Sequence, residues 1–227
     1  LGAISATIIC QDAALDRAVE LCLRAAFRKA GQVCTSIQLL CVHRSVHDRF
    51  RAAFVDGAAR LRTGDPGDPA TDIGPMISSA AALRVDALIA EALAQGATAA
   101  LRARPVGAML GPSIVEHTTP AMRIRWEEAF GPVCCLIPYD DDAAVIDLIN
   151  ATPYGLAAGV FTQDLDRAFR FAAQLDMGGV HINQTSSSRM DVMPYGGVKA
   201  SGFGREGPDH AIREMTVEKL VTLTVAG

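Results

Sequence analysis

The chemistry that this sequence could perform is concentrated around one cysteine. Cys34 lies in FRKAGQVCTS, residues 27–36, just past the end of a predicted helix. A thiolate is a strong nucleophile and forms acyl thioesters that water can hydrolyse, so a cysteine here could carry covalent catalysis. A free thiol, with a pKa near 8.5, is only a few per cent ionised at neutral pH, so the site would have to favour the thiolate. The alternative is a buried cysteine that only packs.

The remaining cysteines and the histidines indicate no second reactive centre. The other cysteines are Cys10, Cys22, Cys41, Cys134 and Cys135. We interpret each of them as a small buried hydrophobic residue. No C-x-x-C pair occurs and the five histidines have no metal-ligand spacing, so no metal site is predicted. A disulfide framework does not suit so large and core-rich a chain, which indicates a reducing, cytoplasmic environment.

Length and composition narrow the class of protein further. The chain has 227 residues, of which 50% are hydrophobic, and a formal net charge of −4. This is ample for a large core. Basic residues are scattered and fewer than acidic ones, so no nucleic-acid partner is expected. No apolar run approaches the roughly 18 residues that a bilayer span needs, and the first residues lack the basic region of a signal peptide.

Strand-like and helix-like stretches alternate along the chain. Short apolar runs predict strands at 6–10, 37–43, 133–139, 157–162 and 178–183, two short strands within 97–117, and a half-exposed strand at 218–225. Amphipathic spacing predicts helices at 12–31, 45–61, 81–96, 141–151 and 164–175. This alternation is typical of an α/β fold with a mainly parallel sheet and helices on both faces. In such folds functional groups are expected at the carboxyl ends of the strands.

Several segments, in the family's order, together resemble the aldehyde dehydrogenase superfamily. They are LGAIS (1–5), GQVC (31–34), GDPGDPATDIGPMIS (64–78), EEAFGPV (127–133), TPYGLAAGVFT (152–162) and PYGGVKASGFGREG (194–207). The resemblance implies a catalytic domain over 1–210 and a C-terminal segment over 211–227 that contains an oligomerisation strand. The family's N-terminal dinucleotide-binding domain, with its G-x-G-x-x-G after a strand, has no counterpart in this sequence.

The resemblance implies that an aldehyde is oxidised to a carboxylic acid, with NAD or NADP as the cofactor. In the family a thiolate attacks the aldehyde carbon, the tetrahedral adduct gives up a hydride to the nicotinamide, and water hydrolyses the resulting thioester. Cys34 matches the nucleophile in GQVC. Glu128 matches the glutamate that hydrogen-bonds the nicotinamide ribose, since a carboxylate accepts from both hydroxyls of a diol. Phe130 matches the aromatic residue near the nicotinamide ring.

The resemblance also places the loop over 184–193 at the aldehyde entrance. Arg189 could hold an anionic substrate group, such as a carboxylate or phosphonate, through a charge-assisted contact. Pairing of Arg189 with Asp191 or solvent is the simpler interpretation and the one we favour. Ser187 is a second candidate substrate contact, and Asn183 matches an asparagine that supports the nucleophile loop in the family.

The family needs groups that this sequence does not contain. Its general base is a glutamate directly before L-G-G, one residue before Leu1, and the asparagine of its oxyanion hole belongs to the N-terminal domain. We therefore expect the chain, as a fragment of a larger enzyme or a truncated product, to be inactive alone, with NAD(P) bound mainly by the missing domain. The alternatives are a CoA-acylating member, a non-catalytic fragment that binds a full-length subunit, and a thiol esterase using Cys34. The last strand is expected to build a homo-oligomer.

Overall fold

The computed structural model describes residues 2–225 and 227. Strands and helices follow one another as β1 (Ser5–Ile9), α1 (Leu15–Phe27), β2 (Ile37–His43), α2 (Arg44–Ala59), α3 (Ser79–Ala94), β3 (Thr98–Leu101), β4 (Ser113–Glu116), β5 (Val133–Tyr139), α4 (Asp142–Asn150), β6 (Tyr154–Gly155), β7 (Ala157–Phe161), α5 (Leu165–Gln174), β8 (Gly179–Ile182), β9 (Val198–Lys199) and α6 (Pro208–Met215). None of the helices in this described part is both long and apolar enough to cross a membrane.

Seven of the strands form one sheet, in the order β3-β4-β5-β2-β1-β7-β8. Each neighbouring pair is parallel except β3 with β4, which is antiparallel. Parallel neighbours need crossover connections, and helices supply them between β1 and β2 and between β7 and β8. The α/β prediction with a mainly parallel sheet is therefore confirmed.

The middle of the sheet is buried because its strands are almost wholly apolar. Every residue of β1 is buried, and so are the first six residues of β2. Continuous apolar runs of this kind are typical of parallel strands covered on both faces. Phe54 of α2 stacks against Phe27 at the end of α1, with ring centroids 5.9 Å apart, and against Phe50 at 5.6 Å. The three rings therefore pack α1 against α2 beside the strand that follows the Cys34 loop.

The helix predicted over 12–31 is shorter than expected. It ends at Phe27, and a 3₁₀ turn over Arg28–Gly31 follows. Lys29 and Ala30 both have φ of 54°, in the left-handed region, so they cannot continue a right-handed helix. Neither residue type favours that region, which is why amphipathic spacing alone extended the helix through them.

The strand predicted over 218–225 is not formed. Residues 216–225 follow α6 without regular secondary structure, and their apolar side chains are exposed, with Leu220 and Leu223 at 89% and 88%. A strand exists only where a neighbour satisfies its backbone N–H and C=O groups. Within the described residues none of the sheet strands pairs with this segment.

Candidate active site

Cys34 lies at the amino end of the sheet, three residues before β2 begins at Ile37. Glu128 lies five residues before β5, and Ala3 lies two residues before β1. These three parallel strands are neighbours in the order β5-β2-β1, so the loops that enter them meet at one edge. The expectation that functional groups gather at the carboxyl ends of the strands is wrong for Cys34 and Glu128, because both are carried by loops that precede their strands.

A left-handed turn delivers the chain to Cys34. Lys29 and Ala30 at φ of 54° are followed by Gly31 at 67°. Left-handed backbone costs roughly 1–2 kcal/mol for each residue with a Cβ, so this turn persists only because its surroundings hold it. A Cβ on Gly31 would overlap the backbone carbonyl of Gly131, well inside van der Waals contact. The turn before Cys34 and the loop after Glu128 therefore touch through glycine backbone.

The thiol of Cys34 differs from the other cysteines in its exposure and its partner. Cys34 is partly exposed, whereas the other five cysteines are buried. Burial raises the pKa of Cys10 and of Cys41 to about 12, which keeps both thiols protonated at neutral pH. The Cys34 Sγ lies 2.8 Å from the Tyr195 hydroxyl oxygen. Cys34 is thus the cysteine that combines access with a polar neighbour.

Two serines of the loop over 184–193 hold the residue after the nucleophile. The Ser186 and Ser187 hydroxyls both donate to the Thr35 carbonyl oxygen, at 2.8 and 2.7 Å. The Thr35 and Ser187 side-chain oxygens also lie 3.3 Å apart. Ser187 therefore lies beside the nucleophile, with its proton engaged by the backbone there.

Glu128 and Phe130 line one small cavity together with Cys34. Glu128 is half-buried, and its Oε1 accepts a hydrogen bond of 3.1 Å from the Ala3 backbone N–H. Burial raises the pKa of the Glu128 carboxyl, against the opposing effect of this hydrogen bond. Phe130 is 42% exposed, with a left-handed φ of 42°. The structure thus brings the sequence-predicted nucleophile, carboxylate and aromatic ring to one place.

Gln38 is a part of the site that sequence reasoning missed. Its side chain is buried in β2, and its Nε2 donates to the carbonyl oxygens of Ile124 and Glu127, both at 2.8 Å. Its Oε1 accepts from the Ala129 N–H at 2.9 Å. The amide thereby fixes the segment that carries Glu128 to the strand that follows Cys34. The signal was a glutamine inside the apolar run IQLLCVH, because a buried polar group must be hydrogen-bonded.

Asn183 lies at the other end of the sheet, directly after β8. Its side-chain oxygen accepts from the Thr162 N–H at 3.1 Å, and its own N–H donates to the Val160 carbonyl at 2.7 Å. These bonds fix the end of β7 and the start of the loop whose serines reach Thr35. Any support that Asn183 gives to the nucleophile therefore passes through that loop.

Arg189 pairs with a different group from the one that the sequence suggested. Its guanidinium lies 3.7 Å from a Glu206 carboxylate oxygen, and not against Asp191. Its Cζ also lies 4.1 Å from the centroid of the Tyr195 ring, a cation–π distance. Arg189 and Tyr195 line a second small cavity with His181. Burial lowers the pKa of His181, which favours its neutral form.

A metal centre needs several acidic, cysteine or histidine side chains close together. Among residues 2–225 and 227, no group of three or more such side chains lies close enough to hold an ion. The site geometry consists instead of one accessible thiol, one half-buried carboxylate and one exposed cation.

A family model described as the aldehyde dehydrogenase family matches residues 1–221. The chain is 41% identical over 225 residues to a 3-sulfolactaldehyde dehydrogenase from Priestia aryabhattai, covering 99% of this chain and 47% of that relative. It is also 41% identical over 227 residues to aspartate-semialdehyde dehydrogenase 1 from Pseudomonas canavaninivorans, covering 100% of this chain and 48% of the relative. The chain thus spans about half the length of the curated relatives it matches.

Solved structures with a similar fold include dehydrogenases that are named for an aldehyde. The structure matches an NADP-dependent glyceraldehyde-3-phosphate dehydrogenase from Bacillus halodurans C-125, solved in complex with NADP, with a TM-score of 0.93 and 37% sequence identity. The match covers 100% of this chain and 47% of that chain.

Proposed function

The chain belongs to the aldehyde dehydrogenase family, and we propose that its Cys34 is the nucleophile in an NAD(P)-dependent oxidation of an aldehyde to a carboxylic acid. The observation that carries the proposal is the cavity shared by Cys34, Glu128 and Phe130. It combines a partly exposed thiol with a carboxylate and an aromatic ring, the groups needed to attack a carbonyl beside a bound dinucleotide.

The chemistry of Cys34 begins with attack of its thiolate on the aldehyde carbon, and the carbonyl electron pair moves onto the oxygen. Among the described residues the backbone N–H of Cys34 has no hydrogen-bond acceptor, so it can donate to the oxygen as negative charge develops. Loss of hydride from the adduct leaves a thioester on Cys34, and water releases the carboxylic acid. The nicotinamide, when bound, supplies the hydride acceptor.

Glu128 and Phe130 would face that cofactor. The Ala3 N–H occupies Glu128 Oε1, which leaves Oε2 able to accept from a ribose hydroxyl. Phe130 presents an exposed ring beside the same cavity, a surface against which a planar nicotinamide can pack. We assign most of the cofactor contacts to residues beyond this chain, in a dinucleotide-binding domain.

We propose that the isolated chain does not complete the reaction. In the part of the chain that the structure describes, the Cys34 side chain hydrogen-bonds only to Tyr195, so none of its hydrogen-bond partners there is a carboxylate or an imidazole. Loss of a general base costs about a hundred- to ten-thousandfold in rate. Cofactor and base together would have to come from the remainder of a larger enzyme.

The substrate we propose is a small aldehyde with an anionic group. Arg189 offers a guanidinium that is 41% exposed and held beside Tyr195, which contacts Cys34. A surface pair such as Arg189 with Glu206 is worth only about 0–1 kcal/mol, so a substrate anion can compete for the arginine. Relatives named for 3-sulfolactaldehyde and aspartate semialdehyde act on aldehydes that carry a sulfonate or a carboxylate. Ser187, beside Thr35, is a second contact proposed for the same substrate.

The exposed C-terminal segment and the free cysteines support proposals about assembly and cellular location. The apolar side chains of 217–225 are exposed, and we propose that this segment pairs with a second subunit as a strand, giving a homo-oligomer. All six cysteines are unpaired thiols, which suits the reducing cytoplasm.

Acyl transfer to Cys34 can be tested without the cofactor. The chain would be incubated with p-nitrophenyl acetate, the p-nitrophenolate release followed by absorbance, and the acetylated residue found by peptide mass mapping. We expect acetyl on Cys34, no such release from Cys34→Ser, and unchanged release from the matched Cys22→Ser variant. Acetyl on other cysteines but not on Cys34 would overturn the proposal. Faster loss of the acetyl group when CoA is added, and not with water alone, would favour CoA acylation.

A further inference from the structure

We propose that the Tyr195 hydroxyl is the hydrogen-bond donor that holds the Cys34 sulfur as an oriented thiolate. This inference rests on the proposed role of Cys34 as the nucleophile and adds a positioning residue to it. The family motif that contains Tyr195, PYGGVKASGFGREG, suggested no role for its tyrosine from the sequence.

The contact joins residues that are 161 positions apart in the chain. The Tyr195 hydroxyl oxygen lies 2.8 Å from the Cys34 Sγ. With a protonated thiol, sulfur can donate to the phenol oxygen. Once the thiol proton has left to solvent or to a base, the phenol can rotate its own proton toward the sulfur and donate to S⁻. A hydrogen bond to a charged acceptor is stronger than one between neutral groups, so the second arrangement favours the thiolate.

The phenol keeps the proton that this role requires. Burial raises the pKa of Tyr195, and the neighbouring Cys34 raises it further. Tyr195 therefore remains neutral over the pH range in which a cysteine ionises, and it is a donor throughout that range.

Neighbouring residues restrict the orientation of the Tyr195 side chain. The Tyr195 N–H donates to the Glu206 carbonyl at 2.9 Å, and the Glu206 N–H donates back to the Tyr195 carbonyl at 2.6 Å. The Arg189 guanidinium covers the ring face, 4.1 Å from its centroid. The paired backbone and the covered ring face already restrict the Tyr195 side chain. Holding its hydroxyl at the Cys34 sulfur therefore costs little further conformational entropy.

The test is the pH dependence of Cys34 alkylation in the full chain. Wild type and Tyr195→Phe would be treated with iodoacetamide over about pH 6 to 10, a range that spans cysteine ionisation, and modification of Cys34 read by peptide mass mapping. Tyr195→Phe keeps the ring under Arg189 and removes only the donor. Tyr154→Phe is the matched control, since that half-buried tyrosine packs against Gly2 outside the site.

We expect Tyr195→Phe to slow alkylation of Cys34 about tenfold near neutral pH, and to shift the half-maximal rate to higher pH. At the alkaline limit the variant should reach at least the wild-type rate, because both sulfurs are then ionised. Tyr154→Phe should follow the wild-type curve. If the pH dependence of Cys34 alkylation in Tyr195→Phe is the same as in wild type, and Cys34 reacts fast in both proteins, the role of Tyr195 is overturned. The proposal that Cys34 is the nucleophile then still stands. Slow alkylation of Cys34 in the wild type would overturn the proposal that Cys34 is the nucleophile.

A second measurement does not depend on the folding of Tyr195→Phe. The thiolate absorbs in the ultraviolet, and the difference between wild type and Cys34→Ala, titrated with base, follows ionisation of Cys34 alone. We expect that ionisation at lower pH than for an unstructured peptide of residues 27–36. Ionisation at the same pH or higher in the folded chain would contradict the donor role.

Discussion

The Gln38 side chain accepts a hydrogen bond of 2.9 Å from the Ala129 backbone N–H, 91 residues further along the chain. The same amide donates to two carbonyls of the preceding turn. Cys34 comes four residues before Gln38, and Glu128 comes one residue before Ala129. One buried glutamine therefore fixes the spacing between the proposed nucleophile and the proposed cofactor carboxylate.

Replacing Gln38 should destabilise the chain strongly. Gln38→Leu has similar volume but leaves the buried Ala129 N–H and the Ile124 and Glu127 carbonyls without their partner. We therefore expect a loss of about 2–4 kcal/mol in the free energy of unfolding by urea. Gln95→Leu, at the exposed end of α3, makes the same chemical change and should stay within about 0.5 kcal/mol of wild type. Equal effects of the two variants would show that the amide does not hold the two loops together.

Gly31 should not tolerate a side chain. Gly31→Ala forces a Cβ into the Gly131 backbone carbonyl at a φ of 67°, whereas Gly107→Ala places a Cβ in open space at a φ of 61°. We expect Gly107→Ala to cost about 1 kcal/mol for left-handed backbone alone, and Gly31→Ala to cost several times more. Thermal denaturation of both variants measures the difference. Similar melting temperatures would mean that the two loops separate easily and that their contact is not structural.

The raised pKa of Glu128 predicts a particular pH dependence of stability. Because burial raises this pKa in the folded chain, the folded state binds more protons than the unfolded state between the ordinary carboxyl pKa of 4.5 and the folded value. Stability contributed by Glu128 is therefore present below the unfolded pKa and is lost as pH rises through the folded pKa. The free energy of unfolding of wild type should fall relative to Glu128→Gln over that window.

The control for this titration is Glu20→Gln, which removes the same charge from an exposed position on α1, away from the site and from the C-terminal segment. Its stability difference from wild type should stay nearly constant with pH. If the Glu128→Gln difference were equally flat, or rose with pH, burial would not govern the Glu128 carboxyl.

The C-terminal segment should mediate self-association. Val221, Leu223 and Val225 alternate with threonines and are exposed, so in a strand they would form one apolar face. We expect size-exclusion chromatography with light scattering to show an oligomer for the full chain. The double variant Val221→Lys/Leu223→Lys should be a monomer. The matched double variant Thr222→Lys/Thr224→Lys should disturb association much less, because its lysines lie on the other face of the strand. A monomeric full chain would count against assembly through this segment.

The sequence predicts correctly those strands whose conformation follows from their own composition. The strands over 37–43 and 133–139 match Ile37–His43 and Val133–Tyr139, because a strand buried on both faces is a continuous apolar run. The segment over 218–225 has strand-like alternation, but among residues 2–225 and 227 no strand pairs with it. We propose that a second subunit supplies the missing neighbour, and alternation carries no information about partners.

The residues of the candidate site also fall into those that the sequence predicted and those that it did not. Cys34, Glu128 and Phe130 were found because they lie in short motifs that resemble a family, and the structure places them around one cavity. Gln38 and Tyr195 act through contacts across 91 and 161 positions of sequence. Those contacts exist only after the loops at the amino end of the sheet and the motif over 194–207 have folded together. A local pattern can mark Gln38 as a buried polar residue, but it does not identify the partner of either side chain.

The most direct test of the account is the relative reactivity of the six cysteines at neutral pH. The folded chain would be treated briefly with iodoacetamide, and each cysteine-containing peptide quantified by mass spectrometry. We expect Cys34 to be alkylated far faster than the other five cysteines, which are buried and have raised pKa values: Cys10, Cys22, Cys41, Cys134 and Cys135. Alkylation of Cys34 no faster than that of Cys10 or Cys41 would contradict it, since the chain would then hold no accessible, activated thiol.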